Sequence, residues 1–210
     1  MSNSPTERKL GTLLCVIFAT HFISILYGIY GGAFIYKLGQ SFFSIGNIIL
    51  SLPIIISAFL ISSNPQISST RNSRIFSWIF FGLQTFSLFN WLCYLIFDNN
   101  IPGCIGDTSQ ILFPIIYAAS TILFYVNLRM WKPIMIVGCF SAIPSIINGL
   151  LIYQIAGKDF SEDLMTIYNA IGSISIISAV LYLASLILSI IWTIKKPKTP
   201  SAQTNPIDLI

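Results

Sequence analysis

The sequence predicts an all-α, polytopic integral membrane protein, a bundle of six transmembrane helices joined by short loops. Of its 210 residues, 55% are hydrophobic and only 9% are charged. So few polar side chains cannot cover the surface of a water-soluble domain, which excludes a soluble fold. The hydrophobic residues form long runs, and the charged residues lie in the gaps between them. The lipid bilayer is therefore the solvent that we expect around most of this chain.

Six apolar runs predict six spans, because each approaches or exceeds the ~20 residues that cross a hydrocarbon core as a helix. None of the runs contains an Asp, Glu, Lys or Arg. The runs cover residues 10–36, 42–62, 75–97, 111–128, 133–156 and 165–194. We therefore divide the chain into a cytoplasmic head (1–9), a transmembrane domain (10–194) and a disordered cytoplasmic tail (195–210), since neither end is long enough to form a core.

The basic residues predict that both termini are cytoplasmic. They concentrate before the first run, in the second and fourth gaps, and after the sixth run, as Arg8, Lys9, Arg71, Arg74, Arg129, Lys132, Lys195, Lys196 and Lys198. Only Lys37 and Lys158 lie on the other side, and basic residues accumulate on the cytoplasmic side of membrane proteins. A cleaved signal peptide is the alternative for the first run. Its length, well beyond the ~7–15 apolar residues of a signal, favours an uncleaved anchor.

Small side chains recur at every fourth residue of the first predicted helix, at Thr20, Ser24, Gly28 and Gly32. This spacing places them on one face, where another helix can approach closely. We expect the stripe to pack inside the bundle, because six helices need internal contacts. A seam between two copies of the chain is the alternative.

Prolines interrupt the second and fifth predicted helices at Pro53 and Pro144, which are corresponding positions of the two halves of the chain. Paired breaks of this kind are typical of transporters that are built from inverted repeats. Polar side chains accompany both prolines, namely Ser51, Ser57, Ser145 and Asn148. If the symmetry is real, these six residues line a small polar cavity near the midplane. If it is accidental, the prolines only loosen their helices.

The residues that usually carry chemistry in a membrane are missing, so we predict no catalytic, cofactor-binding or metal site. A single histidine, His21, is present, and no carboxylate or cysteine pair accompanies it in its run. A bridge between Cys93 and Cys104 is compatible with their spacing, but spacing alone does not establish pairing.

The leading functional hypothesis is a non-enzymatic membrane protein that organises or partners within the bilayer, and the alternative is an uncoupled channel or facilitator for small neutral solutes. The expected partners are lipid and either a second copy of the chain or another membrane protein. The basic residues are scattered and not clustered, which argues against nucleic acid.

Overall fold

Six α-helices account for most of the residues that the computed structural model describes, which are 4–38, 40–97, 107–155 and 162–194. They are α1 (Pro5–Leu38), α2 (Gln40–Ser63), α3 (Arg71–Phe97), α4 (Asp107–Asn127), α5 (Lys132–Ile155) and α6 (Glu162–Ile194). These described residues contain no β-strand. The predicted all-α, six-helix fold class is therefore confirmed.

Four of the helices contain described stretches that are long and apolar enough to cross a membrane: Pro5–Tyr30, Ser44–Ser63, Arg71–Cys93 and Asn169–Ile194. The described apolar stretches of α4 and α5 are shorter, Leu112–Asn127 and Lys132–Pro144. The chain is thus a helical membrane protein. Six complete crossings and cytoplasmic termini stay predictions, and the predicted disordered tail, 195–210, lies outside the described residues.

Helices α1 and α3 begin about one turn before their apolar runs, because polar side chains cap their first turns. The Ser4 hydroxyl accepts the Glu7 N–H at 3.2 Å, and the Glu7 carboxylate accepts the Ser4 N–H at 2.6 Å. Thr70 and Ser73 form the same reciprocal pair at the start of α3, with distances of 3.0 and 3.1 Å. Such capping boxes satisfy backbone donors that have no partner within the helix.

The six helices form a closed ring. Each helix packs against its neighbours in sequence, and α1 packs against α6, while the described residues show no close backbone contact between other pairs. Opposite positions of the ring are therefore taken by α1 and α4, α2 and α5, and α3 and α6. The start of α1 meets the α2–α3 loop, where the Thr6 hydroxyl donates to the Gln66 side-chain oxygen at 3.5 Å. We call this end of the ring, which also carries Arg8 and Arg129, the arginine end.

Large apolar side chains cover the outside of all six helices. Examples are Tyr30, Ile56, Phe89, Ile116, Phe140 and Val180, each at least half exposed. Exposure on this scale would be costly in water and is the expected surface of a helix in lipid. The side chains that point into the ring form the core, and this core positions the candidate site.

Candidate functional site

Five aromatic side chains meet inside the ring, and we call this cluster the aromatic centre: Phe18, Phe80, Phe124, Tyr125 and Tyr182. Phe18 of α1 reaches Tyr125 of α4, on the opposite side of the ring, with 5.4 Å between ring centroids. Phe80 of α3 stacks on Phe124 of α4 at 4.2 Å with an interplanar angle of 8°. Tyr182 of α6 lies 6.3 Å from Phe18. All five side chains are at most 3% exposed, so the interior of the ring is filled at this level.

Hydrogen bonds between helices surround the aromatic centre. The Gln84 amide of α3 donates to the Tyr117 hydroxyl of α4 at 2.8 Å. Tyr182 of α6 is hydrogen-bonded to Ser141 of α5, whose hydroxyl donates in turn to the Gly138 carbonyl at 2.7 Å. Bonds between helices in a membrane contribute on average about 0.6 kcal/mol each. They fix the rotation of the helices that carry the aromatic rings.

Two polar atoms of the same region are buried without a hydrogen-bond partner among the described residues: His21 Nε2 and the Tyr125 hydroxyl. The His21 imidazole stacks on the ring of Tyr182 with centroids 4.9 Å apart. Buried polar atoms are normally paired with protein or ordered water. Each atom would therefore gain a hydrogen bond from a water or a small neutral molecule at this level.

The predicted solute-path residues are distributed over two helices on opposite sides of the ring. In α2, the Ser51 hydroxyl donates to the Asn47 carbonyl of its own helix at 2.7 Å, Pro53 is half-buried and Ser57 is buried. In α5, Pro144 is buried. The side chains of Ser145 and Asn148 lie outside the described part of the structure. Convergence of these six residues on one cavity stays a prediction.

The residues of the predicted packing stripe of α1 differ in how far they are buried. Thr20 is buried, with its hydroxyl donating to the Val16 carbonyl at 2.7 Å, and Ser24 is half-buried. A Cβ added at Gly28 would meet no atom within 4 Å. The surroundings of Gly32 lie outside the described side chains. A packing role for the whole stripe stays a prediction.

Two close approaches between α1 and its neighbours occur at glycines that the sequence pattern did not single out. A Cβ added at Gly11 would collide with the Thr193 hydroxyl and lie 3.3 Å from the ring of Trp192 in α6. A Cβ at Gly46 of α2 would collide with the ring of Tyr27 in α1. The sequence marks Gly11 as a helix contact only weakly. The small residue Cys15 lies four positions after it, and many other pairs of small residues in the chain share this spacing.

Cysteine and metal-binding residues do not cluster in the described part of the chain. Cys15, Cys93 and Cys139 are free thiols, and Cys104, the partner considered for Cys93, lies outside the described residues. No three His, Cys, Asp or Glu side chains among the described residues come together as a metal site would require.

No protein-family model, curated protein or solved structure matches this chain.

Proposed function

We propose that this chain is a non-enzymatic multi-pass membrane protein that acts by associating with other components of the membrane, either a second copy of itself or another membrane protein. The filled aromatic centre supports this proposal. Phe18, Phe124 and Tyr125 are fully buried, and Phe80 is 1% exposed. A continuous polar path does not pass through such packing. The lipid-facing surface of the ring is then available for association within the bilayer.

The surroundings of His21 support the absence of enzymatic activity. A histidine that activates a serine must share a hydrogen bond with it. His21 Nε2 has no partner among the described residues, and its ring packs face to face on Tyr182. Apart from the His21 imidazole, the polar groups described inside the ring are hydroxyls and an amide, which bind or orient neutral groups.

An uncoupled facilitator for small neutral solutes is the second candidate, with a midplane site beside Pro53 and Pro144. The unpaired His21 Nε2 and Tyr125 hydroxyl favour it, because they offer hydrogen bonds to a neutral solute inside the ring. Both prolines lie inside their helices and remove a backbone hydrogen bond there. Such helices can rearrange at lower cost than unbroken ones.

Solute flux into proteoliposomes separates the two candidates. Purified full-length protein is reconstituted, and the entry of glycerol, urea, glucose and alanine is followed by light scattering or with radiolabel. The leading proposal predicts the same flux as in protein-free vesicles. We expect Phe18→Ala to raise the flux, because it removes the ring that reaches across the interior, while Ile56→Ala on the lipid-facing side of α2 leaves it unchanged.

Flux by the wild-type chain above the protein-free level would overturn the leading proposal. Its loss in the Pro53→Ala/Pro144→Ala double variant would support the facilitator with a site beside the prolines. Flux that persists in that variant would contradict the proline site as well.

A further inference from the structure

A cavity of about 380 Å³ opens at the arginine end of the ring, between the start of α1, the α2–α3 loop and the α4–α5 turn. We call it the arginine-end pocket. Its apolar floor is formed by Leu10 and Ile67, which are only 2% and 3% exposed and belong to the hydrophobic core. Its polar lining includes Thr6, Gln66 and Ser69. The pocket therefore joins the apolar core to the polar end of the bundle, and basic side chains such as Arg129 are typical of the headgroup region.

Two opposite charges line this pocket without neutralising each other. Arg129 and Glu7 both face it, and neither forms an ion pair within the described part of the chain. Glu7 uses one carboxylate oxygen for the Ser4 N–H, which leaves the second oxygen for a ligand. Nearby, Arg8 Nε is buried without an acceptor among the described residues. A cation and an anion that line one cavity, the exposed Arg129 and the half-buried Glu7, match a ligand that carries both signs.

We propose that the arginine-end pocket binds the headgroup of a phospholipid of the phosphoethanolamine class, with the phosphate at Arg129 and the ammonium at Glu7. Guanidinium groups bind phosphate through charge-assisted hydrogen bonds, and a carboxylate accepts them from a primary ammonium. The hydroxyls and the amide of the lining donate further bonds to phosphate oxygens.

The same charges discriminate against other headgroups. A choline group has no N–H to donate to Glu7, so it loses that hydrogen bond. Phosphatidic acid brings negative charge to the Glu7 carboxylate without an ammonium to compensate it. Headgroup binding in this pocket requires neither solute flux nor association with another protein, so its test is separate from that of the proposed function.

Thermal unfolding of the purified full-length chain in detergent tests the proposal. The probes are dihexanoyl phosphatidylethanolamine, dihexanoyl phosphatidylcholine, dihexanoyl phosphatidic acid and soluble O-phosphoethanolamine. We expect the ethanolamine lipid to raise the Tm at the lowest concentration of the four. Arg129→Gln should weaken its half-saturation by about tenfold, which is the loss expected for a charged hydrogen bond. Arg74→Gln removes the same charge from an exposed arginine that does not line the pocket, and should leave half-saturation unchanged.

Glu7→Gln tests the ammonium half of the pocket while retaining the helix start. Glutamine can replace glutamate in a capping box, so the bond to the Ser4 N–H and the unliganded Tm should persist. The preference for the ethanolamine lipid over phosphatidic acid should then disappear.

Equal Tm shifts with all three lipids would overturn the proposal, as would equal half-saturation in Arg129→Gln and Arg74→Gln. If soluble O-phosphoethanolamine binds as tightly as the lipid, the claim that the ligand is a membrane lipid is contradicted.

Discussion

The α1–α6 contact and the α3–α4 contact hold neighbouring helices together by different means. Helices α1 and α6 approach closely along an extended interface, with Gly11 directly against Thr193 and Trp192. Helices α3 and α4 share a shorter interface, which is filled by the Phe80–Phe124 stack and the Gln84–Tyr117 hydrogen bond. Helix α1 thus meets α6 through close approach at a glycine together with the His21–Tyr182 stack, whereas α3 meets α4 through the large side chains of its stack and hydrogen bond.

This difference reflects the lack of a hydrophobic driving force between helices in lipid. Association must come from dispersion between closely packed atoms and from polar bonds across the interface. A glycine allows two backbones to come close enough for the first contribution. Helices α3 and α4 are in contact over a shorter stretch. There, the stacked rings supply the dispersion and the hydrogen bond supplies the polar interaction. The predictions below test each arrangement by a change that the other would tolerate.

Removing the aromatic stack between α3 and α4 should have the largest effect. Phe80→Ala leaves a cavity against Phe124 and should lower the free energy of unfolding by about 3 kcal/mol. The measurement is an SDS titration in mixed micelles, followed by circular dichroism. Phe89→Ala on the same helix is the control, because Phe89 is 57% exposed to the lipid side. Equal losses in the two variants would contradict a stack that holds this side of the ring.

Enlarging the glycine of the α1–α6 contact should have the next largest effect. Gly11→Leu forces the side chain into Thr193 and Trp192 and should cost about 2 kcal/mol in the same titration. The matched control is Gly82→Leu in α3, where an added Cβ meets no atom within 4 Å. If Gly11→Leu unfolds at the same SDS fraction as Gly82→Leu, close approach at Gly11 does not hold α1 against α6.

The smallest change in the free energy of unfolding is expected from removing a tyrosine hydroxyl of α4, and it should differ between Tyr117 and Tyr125. Tyr117→Phe loses the bond from Gln84 and should lower the free energy of unfolding by about 0.6 kcal/mol. Tyr125→Phe removes a hydroxyl that has no partner among the described residues, so stability should not fall. A loss at Tyr125 as large as that at Tyr117 would indicate that the hydroxyl holds a water or solute, and would strengthen the facilitator hypothesis.

The helices could be predicted from sequence because the signals for them are local. Uninterrupted apolar runs and the position of the charges predict the spans. The early starts of α1 and α3 could also be predicted from sequence. The spacing of a capping box is present in Ser4 with Glu7 and in Thr70 with Ser73. The prediction began each span at the first apolar residue, although a helix can start in polar sequence when its free N–H groups are capped.

The ring order and the aromatic centre could not be predicted, because inner and outer faces of a membrane helix are similarly apolar. Phe18 is fully buried and Phe89 is 57% exposed, yet both lie in runs of the same composition. Likewise, Gly11 is in tight contact and Gly28 faces open space, although the spacing of small residues pointed to Gly28. Sequence symmetry selected Pro53 and Pro144, and only tertiary structure shows that their helices occupy opposite sides of the ring.

The pairing of α1 with α6 has a consequence for biogenesis. A chain that emerges from the ribosome in order delivers α1 long before α6. During that interval, the face of α1 around Gly11 has no α6 to pack against, and lipid or another protein must cover it. Closure of the six-helix ring therefore waits for α6, and a nascent chain that stops after α5 would leave this face of α1 unpaired with α6.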